Sequence, residues 1–443
     1  MSASIFGTDG VRGTPGTYPL DEETIVRLGA ATVRVFGLDQ TRLLVARDPR
    51  DSGPLIERYL NAGVEAEGGT LVSAGVIPTP AAAFLASREF DGAFVISASH
   101  NPYPDNGIKL LTGDGEKASP ELEARLSDVV ADTSWSPKIS DAIGPATCDR
   151  VEDYLTHLRR VLPTVDGLAG SRIAVDCANG ATSVVAPRVL RDIGLDVVAL
   201  NVKPDGRNIN EDCGSTHPEA LQRVVRDQGC RMGVAFDGDG DRAIFVDADG
   251  AVVDGDAVLF LCAKHLLTEG RLAGNGIVAT VMSTIGLEIG LRQAGILVHR
   301  CPVGDRSVRD EMLRRGCVLG GEQSGHIIFS EQLPTGDGIL TALSVLRAIQ
   351  ATGSELAELT HGLDVLPQVL LNVPVNTKPD LTHEPEIQEA IANAECTLGD
   401  QGRVLVRYSG TESLLRVMIE GHDPAEVQQL AESIADRART RLC

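Results

Sequence analysis

Three aspartates in one short loop give the strongest chemical signal in the sequence. Asp237, Asp239 and Asp241 alternate with two glycines directly after the apolar run at residues 232–236, which is typical of a strand. The glycines let the backbone turn tightly, so the three carboxylates can converge on one point. Clustered carboxylates repel one another unless a cation lies between them, and hard oxygen ligands favour Mg²⁺, Mn²⁺ or Ca²⁺. Three protein ligands leave open positions for phosphate oxygens.

An EF-hand calcium loop does not fit this acidic loop. Counted from Asp237, the sixth position is Arg242, where an EF-hand needs glycine, and the twelfth is Ala248, where it needs glutamate. A solvated acidic turn without an ion stays an alternative, although three aspartates at a strand end are costly without a cation. The loop therefore predicts a metal site that holds phosphate oxygens.

A serine-rich turn follows the apolar run at residues 92–96. It contains Ser97, Ser99 and His100, and a serine needs an activating neighbour to act as a nucleophile. His100 adjoins Ser99, but adjacent residues of an extended chain point to opposite faces, so adjacency alone does not make a pair. Taken alone, such a segment is more often a polar turn than a site, and Lys109 on the next extended stretch is more often exposed to solvent.

Three further loops combine glycines with polar side chains. Residues 6–13 surround Arg12, residues 320–326 read Gly-Gly-Glu-Gln-Ser-Gly-His, and residues 407–412 read Arg-Tyr-Ser-Gly-Thr-Glu. An arginine, hydroxyls and free backbone N–H groups in one turn could bind an anion, and glycines let a backbone approach a ligand closely. Each loop, considered separately, is more often an ordinary turn.

The elements that position these loops follow a repeated order of strand, loop and helix. Strands are predicted at residues 43–46, 172–175 and 276–279, and helices at 55–66, 186–190 and 285–291. This order predicts three related α/β domains with mainly parallel sheets. The last part of the chain predicts a smaller α+β domain with the order strand, helix, strand, strand, helix. The predicted domains comprise residues 1–148, 149–253, 254–366 and 367–443.

Composition narrows the class of protein. The 443 residues carry 40 basic and 62 acidic side chains, a net charge of −22, and only 3% aromatic residues. An acidic surface with few aromatic rings argues against nucleic acid and anionic membranes as partners. Nine irregularly spaced cysteines, with no C-x-x-C pair, argue against a disulfide framework or a zinc site. With no signal-like or membrane-spanning run, we expect a cytoplasmic protein.

The loops, in this order, resemble those of the α-D-phosphohexomutase superfamily between about residues 5 and 421. Within it the sequence is most similar to the bacterial phosphoglucosamine mutases. Five segments carry that closer resemblance, and they are residues 6–13, 75–80, 176–181, 208–210 with 213–218, and 321–326. Gln323 is informative, because relatives that prefer mannose or glucose more often have methionine there. Tyr408 and Ser413 depart from the family, which usually has prolines at both positions, and this puts the rigidity of that loop in doubt.

The resemblance implies four domains around a central cleft, of which the first three are doubly wound α/β domains and the last is a smaller α+β domain. It also implies a role for each candidate residue. The metal ligands would be Asp237, Asp239, Asp241 and the phosphate carried by Ser99. Catalytic support and acid/base work would fall to Arg12, His100 and Lys109. The substrate-binding residues would be Arg242, Glu322, Ser324, Arg407, Ser409, Gly410 and Thr411. Proton exchange by Lys109 would require a lowered pKa, which neighbouring cations such as Arg12 would supply.

The resemblance also implies an activity. Phosphorylated Ser99 would interconvert glucosamine 6-phosphate and glucosamine 1-phosphate through a 1,6-bisphosphate, with one Mg²⁺ per chain and with glucosamine 1,6-bisphosphate or glucose 1,6-bisphosphate as activator. The product would supply UDP-N-acetylglucosamine and cell-wall precursors, and the chain would form a homodimer. Two alternatives are a phosphomannomutase/phosphoglucomutase of the same fold and a non-catalytic protein that binds sugar phosphates.

Overall fold

The computed structural model describes residues 4–7, 9–138, 143–409 and 413–442. Its first part is a sheet with helices on both faces. The strands are β1 (Val11–Gly13), β2 (Arg42–Arg47), β3 (Thr70–Val76), β4 (Gly92–Ile96), β5 (Asn106–Thr112) and β6 (Ala146–Thr147). The helices are α1 (Glu22–Phe36), α2 (Gly53–Ala66), α3 (Thr79–Glu89) and α4 (Pro120–Ala131). The strand order is β1-β5-β4-β2-β3-β6, with β5 antiparallel to both of its neighbours.

The second part has a five-stranded sheet. Its strands are β7 (Arg172–Asp176), β8 (Asp196–Leu200), β9 (Met232–Phe236), β10 (Ala243–Asp247) and β11 (Val252–Val253). Its helices are α5 (Val151–Arg159), α6 (Val185–Asp192) and α7 (Glu219–Gln228). The order is β11-β10-β9-β7-β8, in which β8, β7 and β9 are parallel and the other two strands are antiparallel.

The third part has a four-stranded sheet. Its strands are β12 (Gly276–Thr280), β13 (Leu297–Cys301), β14 (Leu319–Gly321) and β15 (Ile327–Phe329). Its helices are α8 (Gly255–Thr268), α9 (Ile285–Gln293), α10 (Asp305–Arg315), α11 (Gly338–Thr352) and α12 (Leu356–Leu359). The order is β13-β12-β14-β15, with β15 antiparallel to β14. Asp254 begins α8 by accepting hydrogen bonds from the backbone N–H groups of Asp256 and Ala257.

The last part is a small antiparallel unit. Its strands are β16 (Gln368–Pro374), β17 (Arg403–Tyr408) and β18 (Leu414–Glu420), in the order β16-β18-β17. Two helices cover it, and they are α13 (Pro385–Leu398) and α14 (Pro424–Leu442). This order matches the predicted strand, helix, strand, strand, helix. The α/β class of the first three parts is confirmed as well, whereas the predicted domain bounds stay a prediction.

The candidate loops share one position in the four sheets. Each joins a strand to its antiparallel neighbour: β4 to β5, β9 to β10, β14 to β15, and β17 to β18. Such a connection is shorter than a crossover through a helix, so it holds its polar side chains close to the end of the sheet. The serine-rich turn, the acidic loop, the 320–326 segment and the described residues Arg407 and Ser409 therefore occupy corresponding positions.

Two separate hydrophobic cores matter for the site. One is continuous across the first three sheets and includes Val95, Phe236 and Ile277. The other lies wholly within residues 373–442. Helix α5 contributes Tyr154 to the shared core, and its hydroxyl donates to Asp337 at 2.7 Å. The first three candidate loops are therefore supported by one packed interior, because interiors pack densely and deform little. No helix among the described residues is long and apolar enough to cross a membrane.

Candidate active site

Ser99 lies at the end of β4 and faces the acidic loop. Its side chain is almost fully buried, and its Oγ donates to Asp237 Oδ2 at 2.6 Å, a contact between residues 138 positions apart. The backbone of Ser99 is left-handed, with φ of 51°, which is uncommon for a residue other than glycine. His100 Nδ1 lies 3.4 Å from the same Oγ. Burial, together with the charge of Arg242, lowers the pKa of His100 and keeps its ring neutral near pH 7.

Ser97 has a supporting position instead. It is fully buried, its Oγ donates to Asp48 Oδ2 at 2.6 Å, and the same oxygen accepts the backbone N–H of Ser99 at 2.9 Å. Arg50 lies 3.2 Å from Asp48 and donates to the carbonyl oxygen of Ser99 at 3.1 Å. Of the two serines, only Ser99 therefore presents its hydroxyl to the acidic loop.

The three aspartates converge as predicted. Asp237, Asp239 and Asp241 are buried, and one carboxylate oxygen of each lies within 4.8 Å of the others. Burial raises the pKa of Asp237 well above its usual value, and the charges of Asp241 and Asp239 add to that shift. The Oδ1 atoms of Asp239 and Asp241 are buried without a hydrogen-bond partner in the structure. Buried carboxylate oxygens without donors fit a hard divalent cation, because such an ion would satisfy them.

Lys109 is buried on β5 beside these carboxylates. Its Nζ lies 3.0 Å from Asp239 Oδ2, 3.4 Å from Asp9 Oδ2 and 3.6 Å from Asp241 Oδ2. Burial lowers the pKa of Lys109, but the three carboxylates outweigh it and hold that pKa well above the ordinary value. The predicted lowered pKa is therefore wrong for this state of the site, because Asp9, Asp239 and Asp241 are nearer than the sequence suggested and dominate over Arg12.

Arg12 is held at the edge of the same cluster. Its Nε donates to the backbone oxygen of Asp9 at 3.0 Å, and its Nη2 donates to the carboxylate of Asp9. Lys117 Nζ contacts Asp9 Oδ1 at 2.6 Å and Asp305 Oδ2 at 3.0 Å. Alternating charges thus run from the first unit to the start of α10 in the third, and they place Arg12 and Lys109 on one side of Asp9.

The 320–326 segment, which carries the predicted substrate-binding residues Glu322 and Ser324, adjoins the acidic loop. Arg242 pairs with His326 in an isolated β-bridge, and the backbone N–H of Ala243 donates to the oxygen of Gly325 at 3.1 Å. Glu322 is buried, and its Oε1 accepts the N–H of Gly304 at 3.0 Å, whereas Ser324 is exposed. Arg242 is therefore adjacent to Asp241, Glu322 contacts the residue that precedes α10, and Ser324 faces solvent.

Arg407 and Ser409 lie on the last sheet. Arg407 Nη2 approaches Met282 Sδ at 3.9 Å, just beyond β12 of the third sheet. Ser409 is buried, and its carbonyl oxygen accepts from Lys378 Nζ at 2.8 Å. Gly410 and Thr411, the other two predicted phosphate ligands, lie outside the described residues. The last unit therefore brings the guanidinium group of Arg407 to the loop after β12, at the border with the third unit.

Four supporting residues were not singled out from the sequence. Asp48 and Arg50 hold the serine turn as described above. Thr79, at the start of α3, donates through Oγ1 to Asp239 Oδ2 at 2.7 Å. His326 is buried, with Nδ1 3.6 Å from Asp241 Oδ2, and its Nε2 accepts the N–H of Gly336 at 3.1 Å. The sequence carries only weak signals for these four residues. Asp48 and Arg50 lie just after the predicted strand at 43–46, Thr79 lies in the 75–80 segment, and His326 is the last residue of the 320–326 segment.

Four family models match consecutive parts of the chain. They describe phosphoglucomutase/phosphomannomutase alpha/beta/alpha domains I, II and III at residues 3–136, 152–250 and 254–364, and the C-terminal domain at 370–437. The phosphoglucosamine mutase of Syntrophotalea carbinolica is 45% identical over 98% of this chain and 97% of its own length. That of Symbiobacterium thermophilum is 46% identical over 99% of each chain. The chain belongs to the phosphoglucosamine mutase family.

Solved structures of phosphohexomutases share the fold of this chain. A phosphoglucomutase/phosphomannomutase family protein of Burkholderia thailandensis is 25% identical, with a TM-score of 0.82 over 99% of this chain and 98% of its own. The N-acetylphosphoglucosamine mutase of Aspergillus fumigatus, in complex with GlcNAc-6P and magnesium, has a TM-score of 0.71 at 18% identity, covering 98% of this chain and 95% of its own. The second likeness concerns the fold alone.

The crowding around Lys109 leads to a prediction about stability. Lys109→Met should leave the buried carboxylates of Asp239 and Asp241, and the partly exposed one of Asp9, without their shared cation. Loss of one partner of a buried ion pair typically costs about 3–5 kcal/mol. We expect its melting temperature in excess chelator to fall by several degrees, and Mg²⁺ to restore more of it than it adds to the unsubstituted protein. Scanning calorimetry with and without Mg²⁺ measures both. Lys203→Met, at an exposed position, is the control. Equal melting temperatures for Lys109→Met and the control in chelator would contradict the prediction.

Proposed function

We propose that the chain is an intramolecular phosphotransferase that interconverts glucosamine 6-phosphate and glucosamine 1-phosphate. One observation carries the proposal: Ser99 Oγ lies 2.6 Å from Asp237 Oδ2, in a buried cluster that also contains two unpartnered carboxylate oxygens. Relatives at 45% and 46% identity over nearly the full chain are phosphoglucosamine mutases. Phosphoryl transfer needs a positioned nucleophile and compensation of the negative charge on the phosphoryl group. Ser99 would be the nucleophile, and the carboxylates beside it could hold the cation that compensates this charge.

The reaction takes place in two transfers. Phosphorylated Ser99 gives its phosphoryl group to the free hydroxyl of the sugar phosphate: the Oγ–P bond breaks, a new O–P bond forms, and the hydroxyl releases its proton. The proton of the sugar hydroxyl passes to the serine Oγ, and the resulting 1,6-bisphosphate turns in the cleft. Its other sugar O–P bond then breaks, a new Oγ–P bond forms, and the hydroxyl proton of Ser99 passes to the sugar oxygen that has lost its phosphoryl group. Arg12 offsets charge on the transferring oxygens. Lys109 exchanges the protons, and sharing its carboxylates with a cation would ease its deprotonation.

Asp237, Asp239 and Asp241 are the proposed ligands of one Mg²⁺, with the phosphate of Ser99 as a further ligand. Their hard oxygens and the two unpartnered Oδ1 atoms fit that ion. When bound, Mg²⁺ compensates the negative charge of the transferring phosphoryl group. We also propose glucosamine 1,6-bisphosphate or glucose 1,6-bisphosphate as activator, because the serine must receive its first phosphoryl group from a donor.

Sugar recognition is proposed for Glu322, Ser324 and Arg242. Gln323 is exposed and donates to Asp254 Oδ2 at 3.1 Å, so its side chain fixes the loop to the start of α8. The alternative of a phosphomannomutase/phosphoglucomutase shares the fold and the serine. A non-catalytic sugar-phosphate-binding protein is disfavoured, because Ser99, the three aspartates and Lys109 are all present and in contact.

A coupled assay with three substrates tests the proposal. Glucosamine 6-phosphate, glucose 6-phosphate and mannose 6-phosphate are offered side by side, with Mg²⁺ and glucose 1,6-bisphosphate present, and each 1-phosphate is quantified. We expect the highest kcat/KM with glucosamine 6-phosphate. A higher kcat/KM with mannose or glucose phosphate would favour the first alternative, and no turnover of any of the three would favour the second. A cytoplasmic location and a homodimer complete the proposal, on the resemblance alone.

Arg407 is proposed to bind the phosphate group of the substrate that is not being transferred, and its substitution tests this role. Arg407→Ala removes a charge-assisted contact typically worth about 2–3 kcal/mol, which corresponds to roughly 30- to 150-fold in transition-state binding. Chemistry at Ser99 should survive, because the serine and aspartates lie on other sheets. We expect the variant to release more 1,6-bisphosphate per turnover and to need added bisphosphate, as measured by rapid quench with radiolabelled substrate. Arg441→Ala, an exposed arginine on α14, is the control. Unchanged KM and unchanged bisphosphate release would exclude this role.

A further inference from the structure

The backbone of the serine turn is held from two sides. Arg50, in the first unit, donates through Nη2 to the carbonyl oxygens of Ser99 at 3.1 Å and Asn101 at 2.8 Å. Asn210, in the second unit, donates through Nδ2 to the same two oxygens at 2.9 and 3.1 Å. Each of these two carbonyl oxygens therefore accepts from both side chains. Asn210 lies 109 or more positions from them in the chain.

Asn210 is itself firmly placed. Its backbone N–H donates to the oxygen of Ala178 at 2.9 Å. The buried carboxylate of Asp176 accepts the N–H groups of Ala178 and Gly214 at 2.9 and 3.1 Å, and the side-chain amide of Asn201 at 2.9 Å. The backbone at Asn210 is left-handed, with φ of 58°, a conformation that asparagine adopts more readily than most residues. Backbone contacts within the second unit therefore fix the position from which the Asn210 amide contacts the serine turn.

The acidic loop packs directly on this contact. A Cβ atom at Gly238 would lie 2.5 Å from the carbonyl oxygen of Ser99 and 2.8 Å from Asn210 Nδ2. No side chain fits there without movement of the backbone, so glycine is required. The position of Asn210 is thus coupled to the loop that carries Asp237 and Asp239.

The contacts of Ser99 with the second unit differ in one respect. The contact of its Oγ with Asp237 uses the hydroxyl proton, and phosphorylation replaces that proton with phosphorus. The contact of its carbonyl oxygen with Asn210 involves no atom that reacts. During each catalytic cycle the first contact is lost and regained, whereas the second can persist throughout.

We propose that Asn210 is a positioning residue that keeps the backbone of Ser99 in register with the acidic loop in both states of the serine. The proposal rests on the proposed function, in which Ser99 carries the phosphoryl group. Asn210 acts through the carbonyl groups of Ser99 and Asn101 and not on the sugar. Its loss should therefore slow phosphoryl transfer and leave sugar binding nearly unchanged.

Asn210→Asp is the sharpest test, because it replaces a donor with an acceptor of equal size facing two carbonyl oxygens. We expect kcat and the single-turnover transfer rate to fall about 10- to 100-fold, with KM and the Kd of the sugar phosphate within about threefold. Asn208→Asp is the matched control. It lies in the same loop and also donates its amide to a carbonyl oxygen, that of Lys203 at 3.0 Å, away from the serine turn.

Three outcomes would overturn the proposal: Asn210→Asp with kcat within twofold of the parent, equal losses in Asn210→Asp and Asn208→Asp, or a loss confined to KM. Asn210→Gly, which keeps the left-handed backbone and removes the amide, serves if the aspartate variant does not fold; it should lose kcat in the same way. Transfer of radiolabel from glucose 1,6-bisphosphate to Ser99 measures phosphoryl transfer without glucosamine phosphate. It therefore tests the role of Asn210 independently of the proposed substrate. If the parent protein takes up the label but does not convert glucosamine phosphate, the proposed substrate is wrong. The transfer rates of the parent and of the Asn210 variants can still be compared.

Discussion

Ser99→Ala is expected to lower kcat by roughly 10⁴- to 10⁶-fold, because it removes the atom that accepts and donates the phosphoryl group. Ser99 Oγ donates to Asp237 and approaches His100, so the substitution removes a hydrogen bond and leaves the backbone contacts of the turn in place. The circular dichroism spectrum and the binding of sugar phosphate should be close to those of the parent. The measurements are steady-state turnover with added bisphosphate and the incorporation of radiolabel into the protein.

Ser97→Ala is the matched control for that variant. Ser97 donates to Asp48 and accepts from the N–H of Ser99, so its loss should cost about 1–3 kcal/mol of stability and weaken the positioning of the turn. Activity should fall far less than in Ser99→Ala, and radiolabel should still be incorporated. An inactive Ser97→Ala beside an active Ser99→Ala would transfer the role of nucleophile to Ser97.

Removal of divalent metal is expected to abolish turnover, with Mg²⁺ restoring it. The fold should survive chelation, because Lys109 contacts Asp239 and Asp241, and backbone N–H groups donate to Asp237. Asp239→Asn should raise the Mg²⁺ concentration needed for half-maximal activity, since it removes one charge and keeps the shape. Titration of activity with Mg²⁺ after chelation, together with elemental analysis, provides the measurement.

Asp249→Asn is the control for the metal experiment. Asp249 is an exposed aspartate in the turn between β10 and β11, on the same sheet as the acidic loop. Its substitution should leave the Mg²⁺ dependence unchanged. Full activity in excess chelator, from protein without metal by elemental analysis, would remove the metal from the mechanism.

Much of the fold could be predicted from local patterns in the sequence. The predicted strand at residues 172–175 is observed as Arg172–Asp176, and the predicted helix at 285–291 as Ile285–Gln293. An Asp-Gly pair is typical of a hairpin turn, and Asp249-Gly250 joins two antiparallel strands. Apolar runs and turn residues act over a few positions, so periodicity is enough to locate them.

Contacts between distant residues could not be predicted in this way. Lys109 was expected at the surface if considered alone, but β5 lies inside the first sheet, where it directs the side chain towards Asp239. Strand β5 pairs with β1 and β4, and a single sequence does not predict which strands pair. The same reason explains why Arg50 and Asn210 were not recognised: their partners lie 49 or more positions away.

The arrangement of the two cores has a thermodynamic consequence. The sheets that carry Ser99, Asp237 and Glu322 share one hydrophobic interior, so exposing any one of them breaks apolar contacts of the others. The sheet that carries Arg407 has its own interior and joins the third unit through polar contacts such as Arg403 with the oxygen of Val281 at 2.6 Å. Opening of the last unit therefore costs less free energy than global unfolding. The chain therefore comprises a large block, in which the reacting groups share one interior, and a smaller block whose opening would leave that shared interior intact.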